Sequence, residues 1–185
     1  MRVLIADDEA IIRIGLRTIL TEAGHDVVGT ATNGRAALTL AQETRPDVII
    51  LDIKMPEMDG LTAARQIMDT QPTAIVLLTA YSDRALIDQA RNAAVFAYLV
   101  KPVKEEMIGP TLELAATRFA EWKELRDEVS SLQESLETRD RVDEAKRRLM
   151  ASDGINERQA YLKIQQVARA RRVGMRQVAD EILAR

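Results

Sequence analysis

The sequence contains no cysteine. That excludes a disulfide framework, a thiolate nucleophile and a cysteine-based metal site. A single histidine, His25, supplies too few nitrogen ligands for an ordinary zinc centre. No apolar run reaches the roughly 18 residues that would read as a membrane span, so no membrane partner is expected. The opening stretch MRVLIADDEA meets three acids almost at once, unlike a secretory leader. Cytoplasmic residence is the expectation that follows. Proline and glycine are both missing between Pro110 and Gly154, which leaves room for a long uninterrupted helix.

The chain of 185 residues, 46% hydrophobic and 30% charged, suffices for one core plus a small appended module. Its net charge of -3 conceals an arrangement. Residues 1–118 carry 12 basic and 16 acidic groups, residues 119–137 carry 2 and 6, and residues 138–185 carry 12 and 7. The tail is basic although the protein is not. Such a tail suits a polyanionic partner or a solvated helical surface.

Short apolar runs recur in the first hundred residues: VLIA at 3–6, VVGTA at 27–31, VIIL at 48–51, AIVLLTA at 74–80 and VFAYLV at 95–100. Rich in Val and Ile and bounded by polar residues, they read as buried parallel strands. Helical patterns lie between them, on Ile11, Ile14, Leu20 and Ala23, on Ala36, Ala37, Leu40 and Ala41, and on Ala63, Ala64, Ile67 and Met68. The alternation predicts an α/β fold: a five-stranded, doubly wound parallel sheet with helices on both faces. Ligands of such folds bind beyond the carboxyl ends of the strands.

Polar residues stand at those ends: Asp7 and Asp8 after the first run, Asp52 after the third, Thr79 in the fourth, and Lys101 before Pro102 in the fifth. Three converging carboxylates repel one another, and a hard divalent cation relieves that repulsion. Lys101 can neutralise added phosphate charge, and the Thr79 hydroxyl can donate to a phosphoryl oxygen. The set suits phosphoryl transfer to a carboxylate, with Asp52 as nucleophile.

VLIADDE at 3–9, LDIKMPEMDG at 51–60, LLTAYS at 77–82 and AYLVKPV at 97–103 together resemble a two-component response-regulator receiver domain over residues 1 to about 118. The resemblance implies a flavodoxin-like receiver fold and phosphorylation of Asp52 by a cognate sensor histidine kinase. It implies Mg2+ held by Asp8 and Asp52, helped by Asp7 and the backbone carbonyl of Lys54. It also implies Thr79 and Lys101 as the phosphate-sensing pair and Tyr98 as an aromatic switch. The protein would then be a phosphoacceptor that slowly loses its own phosphate, not an enzyme.

Beyond residue 103, Pro110 predicts either a kinked helix or a helix start. Trp122, Leu125, Val129, Leu132 and Leu136 then follow in steps of three and four, a short heptad seam over the connector 119–137. The seam either pairs two subunits as a parallel homodimer, formed on phosphorylation, or packs within the chain. Trp122 is a large anchor in both cases.

Residues 138–185 read as a three-helix unit. Val142, Ala145, Leu149 and Met150 mark one apolar face, and Ser152-Asp153-Gly154 ends it. Asn156 and Gln159 have capping-box spacing, before a stripe of Ala160, Ile164, Val167 and Ala168. Val178, Ile182 and Leu183 supply the last short helix. Nine cations decorate the unit: Lys146, Arg147, Arg148, Arg158, Lys163, Arg169, Arg171, Arg172 and Arg176. They can match phosphate spacing, with DNA and RNA both open on charge alone. No obvious major-groove helix is present. A tail that docks a partner protein is a further alternative; an enzymatic output is disfavoured by the lack of His, Cys and a glycine-rich phosphate loop.

LETRDRVDEAKRRLM at 136–150, GINERQAYLKIQQVAR at 154–169 and MRQVADEIL at 175–183 resemble an ANTAR module, starting near residue 125. That resemblance implies binding to structured leader RNA and transcription antitermination. Arg147 stands where that family commonly has glycine.

Overall fold

The structure is a computed structural model that describes residues 1–80 and 95–184. Tyr81 and Ser82, which close the LLTAYS match, lie outside the described residues. The chain forms two compact units, Met1–Lys123 and Glu124–Arg185.

In the first unit, strands β1 (Arg2–Ala6), β2 (Asp26–Ala31), β3 (Val48–Asp52), β4 (Ala74–Ala80) and β5 (Ala97–Lys101) alternate with helices α1 (Ala10–Glu22), α2 (Gly34–Thr44) and α3 (Gly60–Thr70). All strand pairs are parallel, in the order β2-β1-β3-β4-β5. This is the doubly wound sheet that the apolar runs predict. Val3 to Ala6, Val48 to Leu51 and Ala74 to Leu78 are buried throughout, because helices cover both faces of the sheet. The chain reverses direction across the sheet between β1 and β3, so the crevice opens where Asp7 and Asp52 leave those strands.

The helix faces on α2 and α3 fall as expected: Ala37, Ala41, Ala63, Ala64, Ile67 and Met68 are buried. The α1 face does not. Ile11 and Ile14 are exposed, while Leu16 and Leu20 are buried and Ile12 and Ile19 pack against the core. Apolar residues nearly encircle this helix in sequence, and the stripe at 12, 16, 19 and 20 is the one that meets the sheet.

Helix α4 runs from Glu105 to Asp153 and contains Pro110. It therefore starts before the proline, not at it. A proline at 110 removes only the bond to the exposed Glu106 carbonyl, in the second turn. Burial of Ile108, Leu112 and Ala115 against the sheet core outweighs that loss. Trp122 also belongs to this core. Its ring centroid lies 6.0 Å from that of Phe96 and 5.9 Å from that of Phe119. The tryptophan is half-buried in its own unit, where one side of its ring meets these two phenylalanines. Leu125, Val129, Leu132 and Leu136 are between 53% and 64% exposed, so the seam does not pack within the chain among the described residues.

The second unit is built from the end of α4 with α5 (Glu157–Arg171) and α6 (Met175–Leu183). Its core holds Val142, Ala145, Leu149, Ala160, Ile164, Ala168, Val178 and Ala179. Met150, expected on this face, is exposed. Gly154 ends α4 with φ +67. Asn156 then caps α5 through a full capping box with Gln159, its side chain accepting from Gln159 N at 2.9 Å. Ile182 and Leu183 pack against the core from its edge.

Candidate functional site

β1 and β3 are adjacent, so their ends bring Asp7 and Asp52 together, and the turn after β1 adds Asp8. One carboxylate oxygen from each lies within 4.8 Å of the others. Asp7 is fully buried and Asp52 nearly so, whereas Asp8 is exposed. Lys101 reaches in from β5, its Nζ 2.8 Å from Asp7 Oδ2, 3.3 Å from Asp52 Oδ1 and 3.4 Å from Glu9 Oε1. The Lys101–Pro102 peptide bond is cis.

Two unanticipated residues shape this loop. Asp7 Oδ1 accepts from the Glu9 N–H at 2.8 Å. Arg13 Nη1 donates to the carbonyls of Asp7 and Asp8, at 2.7 and 2.9 Å. Nothing in the sequence marks Arg13; its role needs the first turn of α1 to lie beside the acidic loop.

Electrostatics here are dominated by burial. Removal from water pushes the Asp52 carboxyl up; Lys101 pulls it down, and the charges of Asp7 and Asp8 push it further up, to about 6. Burial works against the Lys101 ammonium, but contact with Asp7 and the charge of Asp52 outweigh it and raise its pKa. Although Asp7 Oδ2 has its ion-pair contact, it receives no well-directed hydrogen bond in its buried position. A buried carboxylate oxygen of that kind, beside two more carboxylates, fits an oxygen-seeking divalent cation. Asp8 and Lys54 line an adjoining cleft of 690 Å³ with Met55, Pro56 and Asp59.

The loop after β3 is set by Asp59 and Gly60. Asp59 caps α3, accepting from Thr62 N and from Thr62 Oγ1, each at 2.8 Å. Burial opposes the charge of Asp59, but these hydrogen bonds prevail and lower its pKa. The sequence shows Asp59-Gly60 as a turn; its second function, packing the start of α3 onto the Asp52 backbone, is visible only in the fold.

Thr79 is buried at the end of β4, its Oγ1 donating to the Ala80 carbonyl at 3.1 Å. Tyr98 is 56% exposed. Both line one groove of 600 Å³ with Ile53, Met107 and Thr111.

In the second unit the nine cations divide. Lys146 Nζ lies 2.6 Å from Asp143 and 2.7 Å from Glu157, tying α4 to α5. Lys163 pairs with Asp153 at 2.6 Å, Arg176 with Glu137 at 3.0 Å, and Arg171 with Glu181. Arg148 donates to the Leu183 carbonyl at 2.9 Å, and Arg147 to the Asp143 carbonyl at 3.4 Å. Among the described residues Arg158, Arg169 and Arg172 are exposed and have no carboxylate partner. No described helix is long and apolar enough to cross a membrane.

Comparison with known proteins agrees with both units. The response regulator receiver domain family matches residues 3–113, and the ANTAR domain family matches residues 130–183. The transcriptional regulatory protein PdtaR of Mycobacterium tuberculosis is 45% identical over 98% of this chain and 89% of its own length. The chemotaxis protein CheY of Thermotoga maritima is 41% identical over 58% of this chain and 90% of its own. Among solved structures, the REC domain of AraT, a response regulator from Geobacillus stearothermophilus, superposes with a TM-score of 0.59 at 34% identity, covering 66% of this chain and 97% of that one. The chain belongs to the response regulators in which an N-terminal receiver domain, a phosphoacceptor and not an enzyme, is joined to a C-terminal ANTAR domain.

Proposed function

We propose that this is a phosphorylation-controlled, cytoplasmic regulator that binds hairpin RNA in leader transcripts and promotes antitermination. We take 1–118 as the receiver, 119–137 as the connector and 138–185 as the RNA-binding module. The observation that carries the reading is the cluster of buried Asp7 and Asp52 with exposed Asp8, and Lys101 between the two buried carboxylates.

In the forward step an Asp52 carboxylate oxygen attacks the phosphorus of the sensor kinase's phosphohistidine. The phosphorus–nitrogen bond breaks, its electron pair returns to the imidazole, and an acyl phosphate remains on Asp52. Asp7, Asp8, Asp52 and the Lys54 carbonyl would hold Mg2+, which offsets the charge gathered on the phosphoryl oxygens. Lys101 exchanges its contact with Asp52 for one with the phosphoryl group. Thr79 turns its hydroxyl from the Ala80 carbonyl to the same group, and the space it leaves draws Tyr98 into the groove that they share.

The output is dimerisation along Leu125, Val129, Leu132 and Leu136, which presents two tail modules to two hairpins. Replacing Leu132 by Glu removes one of four exposed seam positions and places a buried charge in any pair. The beryllofluoride-treated wild type should run as a dimer by light scattering and the L132E chain as a monomer. Titration of a leader hairpin with and without beryllofluoride tests the switch itself. Equal affinity and equal mass in both states would remove phosphorylation control from the reading.

A further inference from the structure

Tyr161 has no part in the phosphoacceptor site and is not a cation, yet it is 41% exposed at the border of the buried stripe formed by Ala160, Ile164 and Ala168. Its ring walls a cleft of 430 Å³ within the second unit, together with Ser135, Thr138, Arg139, Val142 and Met175. The lining is mixed: an apolar base from Val142 and Met175, hydroxyls from Ser135 and Thr138, and a guanidinium from Arg139. Arg139 makes no ion pair among the described residues. Lys146, holding Asp143 and Glu157 at the cleft's edge, clamps the two helices that form it.

A second feature adjoins the first. On α5, Arg158, Leu162, Gln165 and Arg169 recur in steps of four, three and four, which is one helical stripe, and Arg172 follows as the left-handed C-cap of the same helix. The stripe runs beside Tyr161, three residues from Arg158 and four from Gln165. Its two arginines and Arg172 are those that the ion pairs leave unengaged. The other tail cations named by charge alone are held by Asp143, Glu157, Asp153, Glu181, Glu137 or by carbonyls. Arginines on a rigid stripe suit phosphates, and a half-exposed ring over an apolar floor suits a planar base.

We propose that the Tyr161 cleft receives one unpaired nucleobase of hairpin RNA, stacked on the phenol ring, while Arg158, Arg169 and Arg172 hold the flanking phosphates. The inference rests on the RNA-binding reading above and narrows it to one face. An unpaired base is the fitting occupant, because only in a loop or bulge is a base free to leave its stack. The hydroxyls of Ser135 and Thr138 and the Asp143 carboxylate can meet its polar edge.

The test uses the full beryllofluoride-treated chain and a pool of RNA hairpins with randomised loops. Tyr161→Ala should weaken binding by roughly 10- to 100-fold, and Tyr161→Phe, which keeps the ring, by less than about two-fold. Arg169→Ala should weaken all hairpins alike and lower the salt slope by about one. Photocrosslinking of the wild type to 5-iodouridine-substituted hairpins should label Tyr161 or its cleft. Wild-type affinity in Tyr161→Ala, or adducts confined to the α4 cations, overturns this proposal and leaves RNA binding standing. A wild type that captures no hairpin overturns both. If Tyr161→Ala fails to fold, the wild-type adducts decide.

Discussion

Asp52→Asn should abolish phosphoryl uptake and at the same time make the unphosphorylated chain more stable at pH 7. The first effect follows from losing the nucleophilic carboxylate, and labelled acetyl phosphate measures it as complete loss of incorporation. The second follows from burial. The Asp52 carboxyl rises from 3.8 to about 6 in the fold, chiefly through desolvation, with repulsion from Asp7 and Asp8 added. A raised carboxyl binds its proton more tightly in the folded chain than in the unfolded one. Its favourable contribution is therefore complete below pH about 4 and is lost as pH climbs through about 6. Above that the ionised group weighs against folding by roughly 2–3 kcal/mol. Asn is neutral throughout and nearly the same shape, so it escapes that term, while Lys101 keeps Asp7 as partner. Denaturant melts in EDTA should show the variant ahead at pH 7 and level with the wild type near pH 4. A variant less stable than the wild type at pH 7 would mean that the Lys101 attraction exceeds the cost of burial.

The same pocket shows why the sequence was informative where it was. Strands buried on both faces carry uninterrupted Val and Ile, so a polar residue at the end of each run stands out, and the parallel order then fixes where the ends meet. Asp7, Asp52 and Lys101 come together by topology alone. Arg13 could not be found this way, since its partners are main-chain carbonyls with no residue signature. Helix α1 defeats periodicity for a different reason. Apolar residues at 11, 12, 14, 16, 19 and 20 allow two stripes, and contact with the sheet chooses between them. Trp122 has perfect seam spacing, but its partners, Phe96 and Phe119, lie outside the seam, and Phe96 immediately precedes β5. The tail's cations illustrate the limit of charge counting. Lys146 and Arg171 look like phosphate ligands until α5 and α6 bring Glu157 and Glu181 beside them.

Gly60→Ala should cost about 3 kcal/mol or more in stability, the largest loss expected from adding one methyl group to this chain. A Cβ at position 60 would stand 2.0 Å from the Asp52 carbonyl oxygen, 2.9 Å from its carbonyl carbon and 3.1 Å from Ile53 Cα. All three are backbone atoms, so no side chain can swing away. Gly60 N also donates to the Ile53 carbonyl at 2.9 Å, and the Asp59 cap fixes the same turn from the other side. Relief must come by lifting α3 off β3 or by moving the Asp52 backbone. Either one displaces the phosphoacceptor relative to Asp7 and Lys101, so phosphoryl uptake should fall together with the melting temperature. Gly15→Ala supplies the contrast. Residue 15 lies inside α1, is not followed by proline and has nothing within 4 Å of an added Cβ, so the exchange should stabilise the helix by roughly 0.5–1 kcal/mol. Thermal melts of the two variants should move in opposite directions, by about 10 °C downward and a few degrees upward at a slope of roughly 2–4 °C per kcal/mol. A Gly60→Ala chain that melts with the wild type would show that α3 does not press on the end of β3. The close approach that aims Asp52 into the crevice would then have to be assigned to the Asp59 cap alone.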